Sequence, residues 1–187
     1  EKGINIDMTP VKSGERYFYV WSHRKNIGTP LDTGSMLMIA EFDPVHPERL
    51  ISEPKCLSRP LYGFENTEHT INNEGPYAFY YHNKIYLAYS GGDARGYLYA
   101  IGMLTANDGD DLCDLSVWEK AKTPIASFAT IPGEYGPGHN SFFWDRDQNL
   151  WIAYHAVTSF EEKIVSSGMR RVYFEQDKTP RFDVIVE

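Results

Sequence analysis

Runs of apolar and aromatic residues alternate along the whole chain with turn residues. Runs of this kind, bounded by glycine, proline, asparagine and aspartate, are typical of β-strands. The clearest run covers residues 85–90 and reads Ile-Tyr-Leu-Ala-Tyr-Ser. No stretch has the periodicity of a long amphipathic helix, and only residues 110–118 suit one short helical turn. The pattern predicts an all-β protein.

One arrangement occurs three times: a polar residue, then a hairpin, then an aromatic strand. The polar residues are Asp7, Glu74 and His139, and they are nearly equally spaced. Because internal repeats decide the architecture of a chain, this repeat outweighs any single motif. In each copy a loop and two further strands follow. The predicted strands are 8–12, 17–22, 35–42 and 50–52; 77–82, 85–90, 97–104 and 117–120; and 140–144, 150–155, 169–174 and 181–186.

Four antiparallel strands per repeat is the pattern of a β-propeller blade. The predicted blades are residues 1–70, 71–132 and 133–187, which form one partial domain. A β-sandwich is the alternative all-β fold, but it gives no reason for a polar residue at one place in every copy. Propellers close with about four to eight blades. We therefore expect three blades of a larger propeller whose upstream blades are absent from this sequence.

Composition and charge narrow the range of partners. The 187 residues carry a net charge of −8, with a pI of about 5.2, and 14% of them are aromatic. Net negative charge argues against nucleic acid and anionic membranes, and no apolar run is long enough to span a bilayer. Aromatic residues suit both strands and sugar-stacking surfaces. Cys56 and Cys113 are either free thiols or one disulfide.

The three polar residues predict a site. In a propeller, the innermost strands face a central channel, so Asp7, Glu74 and His139 would converge there. Of two neighbouring carboxylates, one has a raised pKa and can act as a general acid. Glu74 has the longer reach for that role, whereas His139 could bind a cation or hydrogen-bond the carboxylates. Taken singly, each has a structural reading, such as a turn cap for Asp7.

Two other motifs give weaker evidence of a functional site. Residues 107–111 are rich in aspartate, but they lack the spacing and closing glutamate of an EF-hand, which predicts an acidic surface turn. Arg170 and Arg171 are consecutive on a strand, so their side chains point to opposite faces. The inward arginine would pair with Asp7 or a sugar hydroxyl, or else with a buried carboxylate.

Several motifs together resemble glycoside hydrolase family 43, above all its α-L-arabinofuranosidase and β-xylosidase branch. The resemblance covers most of the chain and is weakest over residues 23–70. The motifs are Asn73-Glu74-Gly75-Pro76, the strand end 87–90, Gly102-Met103-Leu104-Thr105-Ala106, the segment around Trp118, Tyr135-Gly136-Pro137-Gly138-His139-Asn140-Ser141 and Tyr154-His155-Ala156.

The resemblance implies a five-bladed propeller that removes arabinofuranosyl or xylosyl units from plant polysaccharide with inversion. By position, Glu74 matches the general acid and Asp7 the aspartate that modulates its pKa. His139 matches a histidine near a central cation, often Ca²⁺, and Arg171 an arginine near the substrate. The blade that carries the general base is absent, so this chain by itself should be inactive.

Three hypotheses follow from this reading. The chain is part of a secreted or periplasmic glycosidase, or of a propeller that binds carbohydrate without catalysis, or it is a structural piece that pairs with a separate chain. An aspartate at the head of a similar hairpin upstream would favour the enzyme.

Overall fold

The computed structural model describes residues 3–159, 161 and 164–184, which form short antiparallel sheets. The all-β prediction is confirmed. The strands are β1 (Ile4–Ser13), β2 (Arg16–Arg24), β3 (Met36–Glu41), β4 (Lys55–Ser58), β5 (Asn73–Tyr81), β6 (Lys84–Gly91), β7 (Ala100–Asn107), β8 (Glu119–Lys120), β9 (Tyr135–Trp144), β10 (Leu150–Val157), β11 (Val165–Arg171), β12 (Tyr173–Phe174) and β13 (Pro180–Arg181).

Each sheet follows the order of the chain. The first sheet is β1-β2-β3-β4 and the second is β5-β6-β7-β8, each a four-stranded antiparallel meander. The third sheet has the order β11-β10-β9, and β12 pairs with β13 in a separate hairpin. Two 3₁₀ helices, Gly63–Glu65 and Leu115–Val117, lie in the connections, the second within the predicted short helical turn.

The outer strands differ from the prediction in several places, and the predicted strand 169–174 is divided between β11 and β12. Residues 50–52 were predicted as the fourth strand of the first sheet, which is wrong: β4 lies further along the chain, and Leu50 makes only an isolated bridge to Phe42. The predicted closing strand 181–186 is reduced to β13 in the described part, and residues 185 and 186 lie outside it. Edge strands are short and lack a second neighbour, so their pattern is the weakest in the sequence.

Two apolar layers hold the three sheets face to face. β6 is buried along nearly its whole length because it lies in the middle of the stack. Ile85, Leu87 and Tyr89 pack toward the first sheet, whereas Tyr86 and Ala88 pack toward the third. This alternation follows from successive side chains pointing to opposite faces of a strand. Burying both faces of the second sheet removes most of its apolar surface from water, the main favourable term in folding.

The outward faces of the first and third sheets carry exposed apolar side chains. Met8 is 57% exposed on the first, and Met169 is 66% exposed on the third. Phe143, next to β10, is also exposed. Exposed apolar patches commonly mark surfaces that pack against another element. The outward faces of the first and third sheets are therefore candidate packing surfaces.

The remaining motifs have structural roles. Asp108 accepts a hydrogen bond from the backbone N–H of Gly14, and Gly109 donates one to Ser13, so the acidic turn joins the rims of the first two sheets. Cys56 and Cys113 are both free thiols. Within the described residues, no helix has the length and apolar character needed to cross a membrane.

Candidate active site

Each innermost strand contains a β-bulge at the same place. In β1, β5 and β9, two residues oppose one residue of the neighbouring strand. The first bulge residue is Asp7, Gly75 or His139, and all three adopt the left-handed conformation, with φ of 57°, 56° and 49°. This conformation costs energy for a residue with a side chain, although aspartate and histidine are among those that tolerate it. Bulges re-aim side chains, and here they turn toward a shared centre.

The bulges correct the alignment of the repeat by one residue. The sequence pattern aligned Glu74 with Asp7 and His139, but the structural equivalent of those two residues is Gly75. Glu74 instead corresponds to Ile6 and Gly138, the residues that pair with β2 and β10 just before each bulge. Glu74 therefore occupies a different position on its strand from that of Asp7 and His139 on theirs. Gly75, which has no side chain, leaves space between those two residues.

Asp7 and His139 face each other across that space. Asp7 Oδ1 lies 3.8 Å from Nε2 of His139, and Asp7 Oδ2 accepts hydrogen bonds from Ser22 Oγ at 3.3 Å and from the Gly75 N–H at 3.2 Å. A Cβ on Gly75 would lie 3.4 Å from the His139 ring. The three bulges thus enclose an open cleft of about 530 Å³. Its lining residues are Asp7–Pro10, Gly75–Ala78 and His139–Ser141.

Glu74 is half-buried and directly precedes Gly75, one of the residues that line this cleft. Its Oε1 accepts a hydrogen bond of 2.8 Å from the hydroxyl of Tyr99, a fully buried residue directly before β7. Burial raises the pKa of Tyr99 well above its usual value, and the charges of Glu74 and Asp7 raise it further. The hydroxyl therefore keeps its proton and acts as a donor.

Two basic side chains complete the surroundings of Glu74. The pKa of Arg24 is raised, chiefly by its hydrogen bonds to Asp32, with a smaller contribution from the charge of Glu74. The pKa of His155 is lowered by burial and then by the positive charge of His139. The His155 ring is nearly parallel to that of Tyr99, with centroids 5.6 Å apart, and lies 6.3 Å from that of His139. Aromatic rings thus cover one wall of the site.

Arg171 does not lie with these groups. It pairs with Trp151, four residues along β10 from His155, and its exposed side chain lies over the ring of Tyr173. Four residues of strand correspond to about 13 Å. Arg170, on the other face of the strand, is paired with Glu134 at 2.6 Å. Neither arginine contacts Asp7, because this end of β11 lies at the rim rather than at the bulge.

The channel has polar groups but no formed metal shell. Both side-chain polar atoms of Asn140, which follows His139, are buried without a hydrogen-bond partner in the described residues. Such a group calls for water or an ion. However, no cluster of three or more His, Cys, Asp or Glu side chains that could hold a metal occurs in the described ranges. Ca²⁺ takes six to eight oxygen ligands, so these residues alone do not form a calcium site.

The sequence reading missed several residues that shape the site. Ser22 and Ser90 hold equivalent positions at the ends of aromatic strands, and each accepts the N–H of the next sheet's bulge residue, from Gly75 at 3.2 Å and from His139 at 2.8 Å. Their shared position in the repeat was a usable signal. Tyr99 gave no such signal, because it looks like any aromatic strand residue.

The sequence matches the profile of a known family and several characterised relatives. The profile of glycosyl hydrolases family 43 covers residues 2–180. An extracellular exo-alpha-(1->5)-L-arabinofuranosidase of Streptomyces chartreusis is 34% identical over 154 residues, which are 82% of this chain and 45% of the relative. A protein of the same name from Streptomyces avermitilis is 28% identical over 192 residues, 98% of this chain and 38% of the relative. The chain thus spans less than half of either relative.

Solved structures share the fold. The alpha-L-arabinofuranosidase from Lactobacillus brevis superposes with a TM-score of 0.81 at 28% identity, over 96% of this chain and 55% of that one. A thermostable family-43 glycoside hydrolase gives a TM-score of 0.77 at 23% identity, over 97% of this chain and 58% of that one, and shows the fold alone. These neighbours are five-bladed β-propellers, so the three sheets are part of such a propeller, as the repeat predicts.

Proposed function

Because this chain belongs to glycoside hydrolase family 43, we propose that it forms the acid-bearing part of an inverting glycosidase that removes arabinofuranosyl units from arabinose-containing oligosaccharides or polysaccharides. The observation that carries the proposal is the position of the Glu74 side chain. Glu74 is half-buried and directly precedes Gly75, which lines the cleft with Asp7 and His139, and Tyr99 holds only one of its carboxyl oxygens. Membership of the family makes glycosidic bonds the expected target.

In the proposed reaction, Glu74 gives a proton to the glycosidic oxygen as the bond to the anomeric carbon breaks. Ser22 and the Gly75 N–H donate to Asp7 and fix its carboxyl group in the cleft. Inversion also needs a carboxylate base about 6.5–9.5 Å from the acid, with room for water. Asp7 is the only carboxylate among the residues that line the cleft. We therefore place the base in upstream blades, and this chain by itself is expected to be inactive.

The substrate, the location and the cation are parts of the same proposal. The names of the two Streptomyces relatives support arabinofuranosyl over xylosyl units and an extracellular location. We propose no role for Arg171 in binding the sugar, because it lies at the rim. His139 would contribute one ligand to a cation in the channel, and no step of the mechanism goes through that cation.

The test replaces Glu74 by glutamine in the protein that contains this chain and its upstream blades. We expect kcat on an α-1,5-linked arabinobiose to fall about 10²–10⁴-fold, the usual contribution of a general acid. Cleavage of 4-nitrophenyl α-L-arabinofuranoside should fall much less, since its leaving group needs little protonation. Glu15→Gln, which changes an exposed glutamate of the first sheet, is the matched control.

Two outcomes would contradict the proposal. If Glu74→Gln cleaves the disaccharide at the parental rate, the acid is another residue. If the complete parental protein binds arabinan fragments but cleaves neither substrate, the propeller is a carbohydrate-binding module without catalysis.

A further inference from the structure

Tyr99 occupies an unusual position between two sheets. It belongs to the second sheet, but its ring packs against Gly138 in β9 of the third, where a Cβ would overlap the ring carbons. The ring is 0% exposed, and His155 lies alongside it. Close packing of this kind holds the ring and its hydroxyl in place.

The Tyr99 hydroxyl has a fixed direction toward the general acid. It donates to Glu74 Oε1 at 2.8 Å, and because a tyrosine hydroxyl carries one hydrogen, it has no second hydrogen to donate elsewhere. The packing of the Tyr99 ring against Gly138 thereby links the third sheet to the carboxyl group of Glu74.

The two oxygens of Glu74 differ as a result. Oε1 accepts the Tyr99 hydroxyl, whereas Oε2 accepts no hydrogen bond from any residue that the structure describes. In a protonated carboxyl group the carbonyl oxygen is the better acceptor, so the tyrosine donor at Oε1 favours the form with the hydrogen on Oε2. The proton therefore belongs on Oε2.

We propose that Tyr99 is the positioning residue of the general acid: it holds Oε1 of Glu74 and leaves Oε2 to carry the catalytic proton. The inference rests on the proposed function. As the proton moves from Oε2 to the glycosidic oxygen, the bond from that oxygen to the anomeric carbon breaks and the sugar alcohol departs. The water oxygen bonds to the anomeric carbon, and its proton goes to the upstream base. Tyr99 stabilises the carboxylate that Glu74 becomes, a charge that develops in the transition state.

The second sheet contains a matched control for this residue. Tyr89 is likewise 0% exposed, and its hydroxyl donates to Oε1 of Glu65 at 2.7 Å, but Glu65 is enclosed in the core. Tyr89→Phe and Tyr99→Phe therefore delete the same atom and the same kind of hydrogen bond. Only the second change touches the general acid.

The experiment measures kcat and KM for both variants of the complete protein on arabinobiose and on 4-nitrophenyl α-L-arabinofuranoside. Losing a hydrogen bond to a charged group should lower kcat on the disaccharide about 10–100-fold in Tyr99→Phe. We expect KM to change less than about twofold and the nitrophenyl substrate to be nearly unaffected, since neither depends on proton donation. Tyr89→Phe should leave both kcat values near parental and lower only the unfolding midpoint.

The outcomes separate this inference from the proposed function. If Glu74→Gln discriminates between the substrates but Tyr99→Phe slows both equally, or neither, the positioning role is wrong and the acid assignment stands. If Glu74→Gln does not discriminate, the acid assignment itself is wrong. Should Tyr99→Phe fail to fold, 3-fluorotyrosine at position 99 replaces it: a change of kcat on the disaccharide alone supports the inference, and an equal change on both substrates overturns it.

Discussion

Two buried tyrosines of the second sheet donate to two glutamates, and the glutamates have different surroundings. Glu65 is 0% exposed, and its donors are Lys120 at 2.5 Å, Tyr89 and the Tyr62 N–H at 2.7 Å, and Asn73 at 2.9 Å. Glu74 is half-buried and has Tyr99 as its donor among the described residues. A carboxylate with every oxygen satisfied holds structure together, whereas one with a free oxygen beside a cleft can exchange a proton.

Glu65 is connected to the start of β5 through Asn73. Asn73, directly before Glu74, donates to Glu65 and accepts from Ser58 of the first sheet at 2.9 Å. Its backbone N–H donates to the Ser35 carbonyl. The start of β5 is thus held between two sheets, one residue away from the proposed acid. Buried polar networks of this kind make a structure rigid when every member has a partner.

The largest effect on stability is expected at the ion pair between Glu65 and Lys120. Burial lowers the pKa of Lys120 although Glu65 opposes the shift, so this ammonium group depends on its partner. Replacing Glu65 by leucine removes that partner. Breaking a buried ion pair in this way typically costs about 3–5 kcal/mol in the free energy of unfolding. Urea unfolding at neutral pH measures the loss.

The double variant Glu65→Leu with Lys120→Met is the control for that prediction. It removes both charges and should recover a large part of the lost stability, since an apolar replacement for an ion pair is often nearly neutral. A double variant that is less stable than the single one would show that the network acts through its hydrogen bonds to Asn73 and Tyr89 rather than through charge.

The sequence was sufficient to predict the hairpins but not the exact register of the site. β6 is buried along nearly its whole length and β10 at alternate residues, so the apolar pattern of both strands is strong. Glu74 was aligned with Asp7 although Gly75 is the equivalent residue, because a bulge changes the count by one and depends on backbone conformation. The sequence pattern identified the polar residue Glu74 but not Gly75, which occupies the equivalent position in the structure.

Tyr99 and Arg171 show that a local sequence pattern does not predict tertiary contacts. Tyr99 owes its role to Gly138 in another sheet, a contact between residues far apart in the chain that no local pattern contains. Arg171 sits on a strand whose alternation was correctly anticipated, yet the position of that strand end relative to the channel depends on tertiary packing. Side-chain type predicts what a residue can do, and packing decides whether it is near enough to do it.

The second prediction concerns the hydrogen bond between Tyr99 and Glu74, which is tested through Gly138, the residue packed against the Tyr99 ring. Gly138→Ala places a methyl group against the ring of Tyr99, and such overpacking typically costs about 1–3 kcal/mol. The displaced ring should also lose its hydrogen bond to Glu74, so kcat on arabinobiose should fall more than on the nitrophenyl substrate. Thermal unfolding and the two assays measure both effects in the complete protein.

Gly168→Ala in β11 is the control for Gly138. Its methyl group would lie 3.1–3.4 Å from the side chain of Tyr154, a tight contact that a small shift relieves, and the Tyr154 hydroxyl donates to Glu134 rather than to Glu74. We expect a smaller loss of stability and equal kcat ratios on the two substrates. If both alanine variants behave alike, Gly138 matters only for packing, and the link between the third sheet and the acid is not real.

The smallest effect concerns a third carboxylate, which is as fully hydrogen-bonded as Glu65 but lies at the surface. Asp145 accepts from Trp151 Nε1 at 2.7 Å and from the Asn149 N–H at 2.8 Å, and these bonds lower its pKa from 3.8 to about 2. Since the folded pKa lies below the ordinary value, its contribution is complete above about pH 4 and is lost as the pH falls toward 2. We expect Asp145→Asn to lower the unfolding midpoint modestly at pH 6 and hardly at all at pH 2. An equal difference at both pH values would mean that the charge of Asp145 contributes nothing to stability, and that its contribution comes from hydrogen bonding alone.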